Sequence, residues 1–229
     1  IANLYINEQS QDYVGLFTKL KRAEVRNLNL SNLSITGNDY IGGISGFSEE
    51  STIRNVHISG DMTGQYRIGG LIGRSDKTDF YSSSYTGTVG GNRYIGGIIS
   101  SAKSCTIESI QFSGQVSATK DYANGLANTI EDCRVHSVNV NATITGASNI
   151  SGVIDRVTNS AITSSHFKGN VQAKSAFVCG FVTSLYSNST IRESSVHADI
   201  EGAYAAGIAC STHEQSSIID SAAHGSIVA

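Results

Sequence analysis

There is no proline and no tryptophan in this chain, and only one methionine among 229 residues. Charge is scarce as well. Asp, Glu, Lys and Arg make up 15% of the residues, sum to a formal −3 and form no basic patch, which argues against nucleic acid as a partner. No apolar run approaches the length of about 18 residues that a membrane-spanning helix needs, so no membrane insertion is expected. The four cysteines are widely spaced and make no CxxC or other zinc pattern. Nowhere do apolar residues recur at helical spacing over the ten or more residues of a helix. An initiator methionine and a signal peptide are both missing, and residue 1 already lies in strand-like sequence, "IANLYI". The chain therefore reads as a piece cut from a longer protein.

What is present is glycine, 24 of them, and many Ser, Thr and Asn residues between short apolar runs, the composition of short strands and tight corners. The run "YIGGISGF" at 40–47 returns as "RIGGLIG" at 67–73 and "YIGGII" at 94–99. Aligned on the branched residue before the glycines, Val14, Ile41, Ile68, Ile95, Ala123, Ile150, Val178 and Ala205 fall 27, 27, 27, 28, 27, 28 and 27 residues apart. Two positions on, Leu16 is followed by Gly43, Gly70, Gly97, Gly125, Gly152, Gly180 and Gly207. The next column is apolar: Phe17, Ile44, Leu71, Ile98, Leu126, Val153, Phe181 and Ile208. Three further apolar columns begin at Val25, Leu30 and Ile35 and stay in phase through eight units.

A unit of this length cannot bury an apolar face alone, so neighbours must stack. The pattern predicts an all-β fold, a right-handed parallel β-helix of about eight coils of 27–28 residues, about 40 Å long. Residues 1–13 read as an incomplete or capping coil and 14–229 as the eight-coil repeat domain. In such a stack the glycine column marks a bulge or a corner of positive φ. A second glycine column (Gly60, Gly87, Gly114, Gly169, Gly225) marks another corner, and small polar residues from Asn27 and Asn55 to Asp220 line a bend where they can bond backbone and one another.

The cores "IGGISG" and "IGGLIG", followed by "TIRNVHISGDM", resemble the GLUG-motif repeat of bacterial surface proteins, large adhesins and the non-catalytic parts of IgA-cleaving metallopeptidases. The resemblance covers nearly the whole chain and is closest in coils 2–4. It implies a parallel β-helix in an extracellular bacterial protein. Coils 5 to 8 depart from it, with Asn124, Ser151, Cys179 and Ala206 in place of the first glycine.

Candidate chemistry is sparse. The only His-Glu pair, "HEQSS" at 213–217, has Ser217 where a zinc protease needs its second histidine. His197 and His224 share a column without a third ligand, so no metal site and no cofactor is expected. Glu49 and Asp76 share a column that a glycosidase pair would suit, yet Lys103 and Glu131 continue it, which reads better as charges on a solvated edge. No catalytic residue is assigned. Cys105 and Cys133 stand in one column of adjacent coils, either as a disulfide or as two small buried thiols. Cys179 and Cys210 are out of register and are left unpaired.

The most informative surface column precedes the branched one: Tyr13, Tyr40, Arg67, Tyr94, Tyr122, Asn149, Phe177 and Tyr204. Strand alternation turns it outward. Stacked aromatics can steady parallel strands, and an exposed stripe of them can receive sugar rings or another protein. The expectation is a non-enzymatic, adhesin-type module on the bacterial cell surface or secreted. Its partner is expected to be a host or environmental glycan or a surface protein. A carbohydrate-active β-helix enzyme and an accessory repeat domain of a secreted metallopeptidase are the alternatives.

Overall fold

Parallel hydrogen bonding between equal positions of successive units builds the molecule. The computed structural model describes residues 1–173 and 177–228, and no helix occurs among them. In the second coil the chain runs through strands Asp39–Gly42, Ser45–Glu49 and Thr52–Thr63. Eight strands in chain order form one parallel sheet, one strand per coil: Phe17–Lys21, Ser45–Glu49, Ile72–Asp76, Ile99–Lys103, Ala127–Glu131, Ile154–Thr158, Val182–Tyr186 and Ala209–Thr212. The other 21 strands make a second sheet that wraps the remaining faces. The fold is a parallel β-solenoid of eight coils. Ahead of the first full coil, Tyr5–Asn7 pairs with Ser34–Thr36.

The apolar columns become the core. Val25, Ile53, Phe80, Ile107, Val135, Ile162, Ile191 and Ile218 are successive register partners. The columns that start at Leu30 and Ile35 run equally unbroken to Ala223 and Ile227. Ile41, Ile53, Ile68, Ile95 and Ile107 have no exposed surface, and each burial of this kind contributes about 1.5–3 kcal/mol. One column member carries a polar group, Tyr85, and its hydroxyl donates to the carbonyls of Gly60 (2.6 Å) and Thr88 (3.1 Å).

Corners are made by single residues in the left-handed region. The polar column from Asn27 to Asp220 adopts it at every member, for example at Asn27 (φ 52°), Ser109 (φ 56°) and Glu193 (φ 50°). A second corner column, unforeseen, holds Arg22, Glu50, Lys77, Ser104, Asp132 and Asn159 in the same conformation. Side chains there bridge coils: Asn55 donates to Asn27 at 2.7 Å and Asn159 to Asp132 at 2.6 Å.

Two expectations are corrected. Phe17 does not join the apolar column. It pairs with Ser45 and is 44% exposed, because the first coil is one residue shorter at this corner and Leu16 packs against the core instead. The Gly43-to-Gly207 column is not a site of positive φ, since none of its members lies in that region. Its requirement is closeness. A Cβ on Gly97 would sit 2.2 Å from the Gly125 carbonyl oxygen and 2.7 Å from the Phe112 ring. The Gly60 column does have positive φ, 143° at Gly87.

Gly97→Ala is therefore expected to destabilise the fold by about 2–4 kcal/mol in urea unfolding, whereas Ser101→Ala, on the half-exposed outer face, stays within about 0.5 kcal/mol. Equal unfolding midpoints for the two variants would remove the close-approach explanation.

Candidate functional site

The outward column at 13, 40, 67, 94, 122 and 149 is a third left-handed corner, with φ of 59°, 55°, 50°, 62°, 66° and 51° in that order. It is this torsion, not strand alternation, that swings the side chains outward. Tyrosine is poorly suited to the left-handed region, which costs non-glycine residues about 1–2 kcal/mol. Inter-coil hydrogen bonds hold the corner, among them Tyr13 N–H to the Asp39 carbonyl at 2.9 Å and Val14 N–H to the Tyr40 carbonyl at 3.1 Å. The side chains form one stack. Tyr13 lies on Tyr40 (4.7 Å, 3° between planes), the Arg67 guanidinium sits over Tyr40 (4.9 Å) and Tyr94 (5.7 Å), and Tyr94 lies on Tyr122 (5.0 Å, 7°). Asn149 interrupts the row, and Phe177 and Tyr204 resume it at 5.4 Å.

Arg67 is fixed from below by Asp39 at 2.6 Å, and Asp39 also accepts the Tyr40 N–H. Burial lifts the Asp39 carboxyl above the ordinary carboxylate range against the pull of Arg67. Tyr40, Tyr94 and Tyr122 are half-buried and Tyr13 is exposed. Where the rings lie on one another their faces are covered, and there solvent meets ring edges and hydroxyls, whereas the outer face of Tyr13 has no ring against it. None of these four phenols hydrogen-bonds to another side chain or carbonyl among the described residues.

Beside the stripe lies the outer face of the eight-stranded sheet. Its nearer row, in register, is Lys19, Phe47, Arg74, Ser101, Thr129 and Arg156. Two depressions open between stripe and sheet. One of about 490 Å³ is lined by Tyr13, Lys19, Phe47 and Arg74. The other, about 270 Å³, is lined by Tyr40, Arg67, Arg74, Ser101, Lys103 and Thr129. Arg74 belongs to both. The farther row contains the expected column Glu49, Asp76, Lys103 and Glu131. Ion pairs hold parts of it: Lys19 and Lys21 reach Glu49 at 3.4 and 3.3 Å, and Lys103 reaches Glu131 at 2.6 Å, while Asp76 has no ion pair among the described residues. The hydrogen bond from Lys21 holds Glu49 below the ordinary carboxylate range, the opposite of what a general acid requires.

Under the stripe run the two rows that hold Gly42 and Gly46 in coil 2 and Gly69 and Gly73 in coil 3; coil 4 keeps Gly96 in the first, and coils 5 to 8 fill both with larger residues. Asn124 donates to Asn128 at 2.8 Å. Cys179 and Cys210 form a disulfide with Cα atoms 5.8 Å apart. They lie in the two facing rows of successive coils, so matching of equal positions could not pair them. The available signal was compositional: where the first glycine is lost, the one four residues on is lost too. Cys105 and Cys133, in register, are both buried thiols and not a disulfide. Cys133 donates to the Glu131 carbonyl at 3.2 Å.

In the same inner row stands Asp155. Burial lifts its carboxyl to about 6, with the Thr183 hydroxyl and Arg156 opposing. Its charge, after burial, also raises the phenol of Tyr122, which places it directly beneath the stripe. Sequence reasoning missed it, because nothing in the pattern marks one aspartate in a row otherwise small or neutral.

The remaining candidates are placed plainly. His213 stacks on Tyr186 at 4.7 Å, and Glu214 accepts the N–H and hydroxyl of Ser187. His197 and His224 stack at 4.7 Å. Among the described residues no group of three or more His, Cys, Asp or Glu could hold a metal ion. No protein-family model matches the chain, and no curated protein or solved structure matches it either.

Asp155 sets a pH dependence. Its carboxyl titrates near 3.8 when unfolded and at about 6 when folded, so between these values the folded state binds more protons. Stability should fall as pH rises from about 4 to about 6, by at most about 3 kcal/mol, and then level off. Asp155→Asn should melt higher than the parent at pH 7 and equally at pH 4. Parallel melting curves for both proteins across this range would show that the carboxyl ionises without cost.

Proposed function

We propose that this chain is a non-catalytic binding module of a bacterial surface or secreted protein, a stiff rod whose aromatic stripe and adjoining groove hold a glycan. The observation that carries the reading is the stack Tyr13–Tyr40–Arg67–Tyr94–Tyr122, kept in a backbone conformation unfavourable to these residues and with its phenols unpartnered beside an open groove. Strained backbone of this kind clusters at binding sites. The Cys179–Cys210 disulfide supports an oxidising compartment outside the cytoplasm. The resemblance of coils 2–4 to GLUG-motif repeats points the same way, and is equally compatible with an accessory repeat domain of a secreted metallopeptidase. A second reading, a carbohydrate-acting enzyme, draws on Asp155, the half-buried carboxyl with raised proton affinity. Release of new reducing ends from a polysaccharide, lost in Asp155→Asn, would establish it.

The binding reading is tested on a glycan array, followed by titration of the double variant Tyr94→Phe/Tyr122→Phe. These changes keep the stack and remove two hydroxyls, so the melting temperature should hold. Each lost hydrogen bond is worth about 0.5–1.5 kcal/mol, and affinity should fall about tenfold. Absence of binding to any glycan, or an unchanged affinity in the double variant, would leave the stripe as a device that steadies the sheet.

A further inference from the structure

We propose that the groove takes an anionic sugar chain, carrying carboxylate or sulfate groups, and that Arg74 is the residue that grips its charge. This rests on the binding reading above and adds the chemical class of the ligand.

Charge along the groove is unevenly balanced. In the row farthest from the stripe Lys21 pairs with Glu49 and Lys103 with Glu131, while Asp76 has no ion pair among the described residues. Arg67 and Arg93, on the stripe side, are neutralised by Asp39 at 2.6 Å and Asp121 at 3.0 Å. The row between them carries Lys19, Arg74 and Arg156 and not one carboxylate. Lys19 shares Glu49 with Lys21, whereas Arg74 and Arg156 have no ion pair among the described residues. Arg74 is exposed, and its guanidinium lies over the Phe47 ring at 5.9 Å. That contact orients the planar fork while leaving its hydrogen-bond donors free, the arrangement suited to bidentate capture of a carboxylate or a sulfate.

The stripe adds to the same preference. An aromatic ring is negative on its face and positive at its edge. With both faces covered, by a ring on one side and Arg67 on the other, Tyr40 and Tyr94 turn their positive edges and hydroxyl donors outward. Such a wall suits anionic oxygens better than the apolar face of a neutral sugar. On the floor, Ser101 and Thr129 follow Arg74 in register with short hydroxyl side chains, leaving space beside the guanidinium and groups to meet sugar hydroxyls. The repetition along the axis, one row of donors per coil, suits an extended polymer.

The test is calorimetric titration of the folded chain with four probes: a galacturonate hexasaccharide, the same hexasaccharide with its carboxyls methyl-esterified, a sulfated galactan hexasaccharide and a hexaglutamate peptide. The expected result is binding of one or both acidic sugars at least about tenfold tighter than the methyl ester, weakening with salt. The galacturonate and sulfated arms separate carboxylate from sulfate. Arg74→Gln, at an unchanged melting temperature, should lower affinity for the acidic sugar about tenfold and so narrow its margin over the methyl ester. Methyl ester binding as tightly as the acid would overturn the charge inference while the glycan reading stands. Equal binding of hexaglutamate would overturn the sugar specificity, and an Arg74→Gln variant that binds like the parent would overturn the role of Arg74. Binding of none of the four would count against both the inference and the reading beneath it.

Discussion

Everything in this molecule depends on register: each backbone group in a strand bonds its counterpart one coil away. A parallel ladder repeated at the same position makes every coil a copy of its neighbours in backbone path, whatever its side chains. Six successive coils turn the stripe corner through a left-handed residue, each in register with the one before. That is how four tyrosines and an arginine come to occupy a conformation that glycine or asparagine would adopt more readily. The local penalty is set against hydrogen bonds on both sides of each corner, against ring stacking and against the burial of the adjacent isoleucines, such as Ile41 and Ile95.

The same register turns single residues into rows, and chemistry arises where a row changes character. Arg67 interrupts the tyrosines without breaking the stack, since a guanidinium is planar and can lie between two rings. Asn149 does break it, at the coil that carries the half-buried Asp155. On the sheet face, Phe47 gives way to Arg74 and then to Ser101, so one strand spacing separates an apolar support, a cation and open space. A repeat protein differentiates its surface in this way without altering its core.

Nearly all of the fold was legible in the sequence, because the columns beginning at Val25, Leu30 and Ile35 are direct images of the ladder. What was not legible depends on the third dimension of a corner. Phe17 was misplaced because a missing residue at a turn leaves later columns in phase and is invisible to alignment. For the Gly97 column a bulge and a positive-φ corner were both open, and the requirement is one of close contact, which composition alone cannot distinguish from torsion. The Cys179–Cys210 bond joins two different rows, and matching of equal positions cannot find it. The outward stripe was found, but which surface of each ring it offers is a matter of side-chain rotation.

The disulfide has a mechanical consequence. A rod anchored at one end and pulled at the other loads its coils one after another, and the outermost ladder peels first. Pulled from the C-terminal side, the last coil can unravel only as far as Cys210, where the load passes through the sulfurs to Cys179. The 31-residue separation between them is thereby withheld from extension, a length of roughly 100 Å for a fully drawn chain. The load is handed on at Cys179, so the five-coil stretch that carries Tyr13 to Tyr122 is reached only after the coils between it and Cys179 give way.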